Sequence, residues 1–208
     1  IAFIREKIIN HFDIEKDEKK PFKDIKLIDI GCGGGLLSEP MAKLGANVTG
    51  LDVVEKNIKT ASAHAISQGL KINYVHSTIE KLSEKDEKFD VILNMEVIEH
   101  VSDVSLFINS CNKILSPNGI MIFASLNRTL IAYGLAIIGV EYILGWLPKG
   151  THDWSKFITP DELKILFSSN GLKVDEIIGM KYNPLFDSWK RSKDLSVNYL
   201  GVSSKINS

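Results

Sequence analysis

The chain has 208 residues, with 25 basic against 26 acidic side chains and a formal charge of −1, a length that suits one domain with a single sizeable core. That balance lacks the cationic footprint with which nucleic-acid binders neutralise phosphates, so no nucleic-acid partner is expected. The two cysteines, Cys32 and Cys111, cannot make a disulfide framework, and the opening residues lack the order of a signal peptide, so a reducing, cytoplasmic setting is expected. The start at Ile1 rather than at a methionine leads us to expect further residues upstream.

In chain order, Phe3, Ile4, Ile8, Ile9 and Phe12 have the spacing of an amphipathic helix lying over a sheet, and a charged loop follows at residues 15–20. Short β-rich runs at residues 26–30, 46–51, 72–77, 89–94 and 119–125 then alternate with helical patterns. Those patterns fall at Leu36, Leu37, Met41 and Leu44, at Ile58, Ala61, Ala65 and Ile66, and at Leu106, Phe107, Ile114 and Leu115. Such alternation is what a parallel sheet with crossover helices requires. Thr159, Pro160, Asp161 and Glu162 have the form of a capping box, opening a helix that should end at Gly171. Residues 172–182 and 197–206 read as two more strands, joined too closely for a helical crossover and therefore antiparallel neighbours at the sheet edge. The expected fold is α/β: a Rossmann-like, doubly wound sheet of seven strands, mostly parallel with an antiparallel edge hairpin. It forms a single domain over residues 1–208, with an apolar helical insertion at about residues 127–158.

Asp29, Ile30, Gly31, Cys32, Gly33, Gly34 and Gly35 follow the first strand and lead into a helix. Glycines there let the backbone approach a ligand closely and adopt positive φ. The pattern is not a dinucleotide fingerprint, because the third glycine of G-x-G-x-x-G counted from Gly31 would fall on Leu36. It is D-x-G-x-G-x-G, with Asp29 aimed into the pocket, where a carboxylate repels a pyrophosphate but suits a cation. Asp52 ends the second strand, 23 residues after Asp29, where its carboxylate can accept both hydroxyls of a ribose. A ligand with a ribose, a positive charge and no phosphate fits S-adenosylmethionine; the other reading is that Gly33, Gly34 and Gly35 make a tight turn and Asp29 caps the next helix. Met95 ends the fourth strand, at the edge where open α/β sheets bind ligands, and reads either as a packing surface for adenine or as core. Glu96, Glu99 and His100 follow at i, i+3 and i+4. On one helical turn they would share a face and could hold a divalent ion; the other reading is a solvated helix start.

These residues resemble the S-adenosylmethionine-dependent methyltransferases of class I. Four stretches narrow the resemblance to the ubiquinone-biosynthesis O-methyltransferase family: LIDIGCGGG at 27–35, MEVIEHV at 95–101, LNR at 126–128 and VEYILGWLPKGTHDWSKFI at 140–158. The terminal VNYLG at 197–201 agrees. The resemblance implies a cofactor held at Gly31, Asp52 and Met95, to which the loop pattern itself adds Asp29 and Gly33, and magnesium or another divalent cation at Glu96, Glu99 and His100. It implies two methylation steps, on a polyprenylated phenol and on a polyprenylated quinol, and other ubiquinone-biosynthesis proteins as partners. A further cofactor-binding arginine of the family would precede Ile1. An ordinary phenol has a pKa of about 10, so the acceptor hydroxyl needs activation. We expect it from the metal at Glu96, Glu99 and His100 or, without metal, from His100 or His152 as general base.

Residues 130–147, LIAYGLAIIGVEYILGWL, are far more apolar than their surroundings. As a helix they would cover about 27 Å, short of a bilayer core of roughly 30 Å, and Glu141 lies inside, so a spanning helix is disfavoured. A lid or monotopic segment remains, peripheral to the inner membrane, with Arg128, Lys149 and Lys156 at its flanks to meet anionic headgroups. His152 and Asp153 would hang over the cofactor if the insertion closes, and Trp154 and Phe157 would line an acceptor pocket. Two other readings stay open: a small-molecule methyltransferase with a different acceptor, and a non-catalytic, membrane-peripheral binding module.

Overall fold

Lys26–Ile30 (β1) is buried at every residue after the first, as expected of a strand with helices on both faces. In the computed structural model it lies at the centre of a sheet with Asn47–Asp52 (β2), Asn73–His76 (β3), Phe89–Met95 (β4) and Leu115–Leu126 (β5), all parallel. Leu172–Asn183 (β6), Ser188–Ser192 (β7) and Asn198–Lys205 (β8) extend it to the order β3-β2-β1-β4-β5-β8-β6-β7. The structure describes residues 1–129, 132, 156–183 and 188–206. The expectations for His152, Asp153 and Trp154 and, apart from Ala132, for the apolar stretch 130–147 lie outside these residues.

Helices Ala2–His11 (α1) and Ser38–Lys43 (α2) cover one face of the sheet. There Phe3, Ile8 and Met41 pack on Leu27, Val91 and Ile122. Ile79–Leu82 (α4), Val104–Ile114 (α5) and Pro160–Ser169 (α6) cover the other, where Phe107 and Phe167 pack on Ile28, Ile92 and Phe123. Glu55–Ser67 (α3) connects β2 to β3 and buries Ile58, Ala61 and Ala65. Strand alternation explains the division, since successive residues of β1, β4 and β5 go to opposite cores. The capping box of α6 forms as expected, with Thr159 Oγ1 accepting the Glu162 amide at 3.3 Å and the Glu162 carboxylate accepting the Thr159 amide at 3.0 Å.

The sheet has eight strands rather than seven. The additional β7 is short and polar, pairs only with β6 and carries no apolar alternation that would mark it in the sequence. β6 and β8 are antiparallel neighbours as expected, but β8 lies inside the sheet, antiparallel to β5, and β7 forms the edge. No helix among the described residues is long and apolar enough to cross a membrane. Pairing of Ile30 with both Leu51 and Asn94 brings the carboxyl ends of β1, β2 and β4 to one edge. The chain winds outward from β1 to β3 and returns to β4 on the other side of β1, which leaves the crevice where such sheets bind ligands.

Candidate active site: an acidic cleft beside an apolar cavity

The loop after β1 is held by its own amides. Gly31 and Cys32 both donate to Leu51 O, at 2.7 and 3.0 Å, and Gly33 donates to Asp52 Oδ2 at 2.9 Å. Gly31 has φ +68, and a Cβ there would meet Val97 Cγ2 at 2.6 Å, so both backbone and space require glycine. Gly33 has φ +52 with open space where its Cβ would stand. Asp52, buried at the end of β2, is fixed by three donors: Val54 N to Oδ1 at 2.8 Å, and Gly33 N and Asn57 Nδ2 to Oδ2 at 2.9 and 3.3 Å. Its lone pairs are not exhausted, because an ionised carboxylate offers about four acceptor sites.

Gly31 and Asp52 line a cleft of about 510 Å³ with Val53, Ile79, His100 and Leu106. Its charged walls are Asp52, Glu80, Glu96 and Asp103, with no lysine or arginine among the lining residues. Such a cleft disfavours a pyrophosphate and suits a cation with hydroxyl donors, so the residues present fit S-adenosylmethionine. Glu80 and Asp103 are absent from the sequence expectations. Asp103 was legible as an N-cap, and its Oδ1 does accept the Leu106 amide at 2.9 Å. Glu80 carries no such signal.

Of the expected cofactor residues, Gly33, Asp29 and Met95 are not among those that line the cleft, although Gly33 bonds Asp52 in its wall. Asp29, 3% exposed, accepts the Ser38 hydroxyl at 2.6 Å and is not among the residues that line the cleft. Burial pushes its carboxyl up from the ordinary 3.8 to about 6, against the pull of the bonds from Ser38. Met95 is half-buried, packs against the core beneath α1 and is likewise not in the cleft wall.

Glu96, Glu99 and His100 do not share a helical face. The Glu96 amide donates to Ala124 O at 2.9 Å, which prolongs the β4–β5 pairing; Glu96 then turns with φ +57, and only Ile98–His100 is helical, as one 3-10 turn. Glu96 and His100 line the acidic cleft. Glu99 lines a neighbouring cavity of about 600 Å³, where its Oε2 accepts the Ser125 hydroxyl at 3.1 Å. Burial pushes the Glu99 carboxyl up to about 7, with the like charge of Glu96 adding to the rise. The described residues contain no group of three His, Cys, Asp or Glu that could hold a metal ion. The expected donor set is therefore not assembled, and we derive no step through a divalent ion.

The second cavity is chiefly apolar, with Val104, Phe157, Ile158, Ile165 and Leu166 in its wall, and it shares Val101 and Ser102 with the cleft. Arg128 and Glu162 pair at its border. Asn127 Nδ2 donates to Leu195 O at 2.8 Å and the Tyr199 hydroxyl to Ile158 O at 2.8 Å, so both ends of the segment between β5 and α6 are tied to the loop and strand at 195–199.

A doubly wound sheet of this order, with a glycine turn after β1 and an acidic residue closing β2, is the S-adenosylmethionine-dependent methyltransferase fold. A methyltransferase-domain family profile matches residues 28–123. The solved structure of an S-adenosylmethionine-dependent methyltransferase from Clostridium acetobutylicum superposes with a TM-score of 0.70 at 15% identity, over 99% of this chain and 90% of that one. The ubiquinone biosynthesis O-methyltransferase of Bartonella bacilliformis is 56% identical over 200 residues, 96% of this chain and 81% of the relative. That of Parvibaculum lavamentivorans is 52% identical over 205 residues, 99% of this chain and 81% of the relative. The chain belongs to the ubiquinone biosynthesis O-methyltransferase family.

Proposed function

We propose that the chain methylates a ring hydroxyl of polyprenylated catechol and hydroquinol intermediates of ubiquinone biosynthesis, with S-adenosylmethionine in the acidic cleft and the acceptor ring in the apolar cavity beside it. The observation that carries this reading is the pair of chambers meeting at Val101 and Ser102, one acidic and one apolar. The identity with named relatives over nearly the whole chain supports the acceptor class.

When bound, the cofactor supplies a methyl group already activated on a sulfonium. The chain then has to bind, align and remove a proton. Asp52, immobilised by Gly33, Val54 and Asn57, offers its remaining lone pairs to the ribose hydroxyls. Val53, Ile79 and Leu106 form the apolar part of the cleft, suited to a flat base. His100, in the same wall, takes the phenolic proton as the ring oxygen bonds to carbon. The apolar cavity excludes water and receives the start of the prenyl chain. Residues 130–147 lay the enzyme against the membrane that holds the acceptor, in keeping with their apolar sequence.

Labelled methyl transfer to a short-chain prenyl catechol tests this reading. Label on the ring oxygen, matched by one S-adenosylhomocysteine per methyl ether, is expected; cofactor binding without transfer would overturn it. Flotation with liposomes should fall when residues 130–147 are removed, and equal flotation would count against membrane docking.

A further inference from the structure

The hairpin of β6 and β7 projects from the sheet. Ile178 is the last residue of β6 to pair with β8, opposite Leu200, and β8 itself begins at Asn198. Past that level β6 pairs only with β7, Lys181 with Lys190, Tyr182 with Trp189 and Asn183 with Ser188. These residues carry the hairpin about 10 Å beyond β8, at roughly 3.3 Å per residue. Asn198 also pairs with Leu126 at the end of β5, so the projection stands at the carboxyl edge of the parallel strands, the edge that holds the cofactor cleft.

The residues leading into the apolar stretch 130–147 are tied to the same place. The Asn127 amide donates to Val197 O at 2.9 Å, Asn127 Nδ2 to Leu195 O at 2.8 Å and the Thr129 hydroxyl to Ser196 O, all in the connection between β7 and β8. The projecting strand is also cationic. Residues 188–193 hold Lys190, Arg191 and Lys193 and no carboxylate, in a chain whose formal charge is −1. Arg191 is engaged with Glu6 at 2.9 Å, while Lys190 and Lys193 are exposed and belong to no ion pair among the described residues. Beside them Trp189 is 59% exposed, although so large a ring gains by burial. Lysines on an edge strand oppose pairing with a second chain. An indole next to free cations suits a bilayer interface instead, with the ring at headgroup level and the charges against anionic lipid.

We infer that the hairpin of β6 and β7 is a second membrane contact: Trp189 enters the interface of an anionic bilayer and Lys190 and Lys193 meet its headgroups, which turns the carboxyl edge and its chambers toward the lipid that carries the acceptor. The inference rests on the proposed membrane docking of the chain and adds a cationic surface that residues 130–147 do not supply.

The test uses two single-tryptophan forms of the full chain, whose tryptophans are Trp146, Trp154 and Trp189. Trp146→Phe with Trp154→Phe leaves Trp189 to report on the hairpin; Trp154→Phe with Trp189→Phe leaves Trp146 to report on the apolar stretch. Each is mixed with vesicles of equal parts phosphatidylglycerol and phosphatidylcholine, or of phosphatidylcholine alone. Trp189 emission should shift to the blue with the anionic vesicles. Lys190→Gln with Lys193→Gln should weaken partition to them about 30-fold and leave methyl transfer to a water-soluble short-chain catechol unchanged. Unmoved Trp189 emission, or undiminished partition of the lysine variant, would overturn the inference. A blue shift that follows protein concentration without vesicles would overturn it as well, by showing that β7 pairs with a second copy. If Trp146 shifts with vesicles and Trp189 does not, only the hairpin contact fails; if neither shifts, the membrane docking of the chain fails with it.

Discussion

Two chambers meet at Val101 and Ser102, and they are built in opposite ways. The acidic cleft is made by the ends of β1, β2, β3 and β4 and the turns that follow them, with backbone amides fixing both loop and carboxylate. The apolar cavity is made by side chains from residues 98–104, Arg128 and residues 156–166, brought together only when α6 packs on the sheet. The first lies on the sheet itself, an architecture that superposes on a solved structure at 15% identity. The second takes Arg128 and residues 156–166 from the two ends of the segment between β5 and α6. The comparison teaches that the two chambers are built from separable parts of the chain, which the proposed function assigns to cofactor and acceptor.

Four single substitutions, one of them with a second-site partner, sharpen or break that separation. The largest effect is expected at Asp29, whose pKa rises from 3.8 unfolded to about 6 folded, a difference worth on the order of 3 kcal/mol. The folded state binds the extra proton, so this group's contribution to stability is full below pH 3.8 and is lost as the pH rises through about 6. Asp29→Asn should therefore melt close to the parent near the lower value and increasingly above it toward neutral pH, measured as the difference between two thermal-melt profiles. Asp52→Ala comes next: S-adenosylhomocysteine affinity should fall about 100-fold by calorimetry, from the loss of hydrogen bonds to a charged acceptor, while cavity ligands bind as before. Gly31→Ala should destabilise the chain by roughly 1–3 kcal/mol in denaturant, and adding Val97→Ala should restore only the part due to the close approach of Val97. The smallest effect is a rise of about tenfold in the acceptor KM for Ile165→Trp, whose position at the cavity is 67% exposed, with cofactor affinity unmoved. Loss of cofactor affinity in that variant would break the separation.

The same division explains what the sequence made legible. The glycine turn at Gly31 and Gly33 and the carboxylate of Asp52 that it bonds could be read directly, because a glycine turn after a strand and an acid at the next strand end are local patterns with local causes. The capping box at Thr159 was legible for the same reason. The orientation of Glu99 was not, because i, i+3, i+4 spacing assumes a helix that the Glu96 amide prevents by pairing with Ala124, a partner 28 residues away. Met95 and Asp29 were placed at the correct strand ends, but strand alternation and Ser38 turn their side chains away from the cleft wall. β7 escaped because a polar five-residue edge strand is defined by its partner rather than by its own periodicity.

The central claim is that cofactor and acceptor occupy adjoining, separate chambers, and titration of a short-chain prenyl catechol into the protein with and without saturating S-adenosylhomocysteine tests it most directly. The account predicts one catechol per chain in both titrations, with undiminished affinity when S-adenosylhomocysteine is present. Mutual competition between catechol and S-adenosylhomocysteine for one site would contradict it.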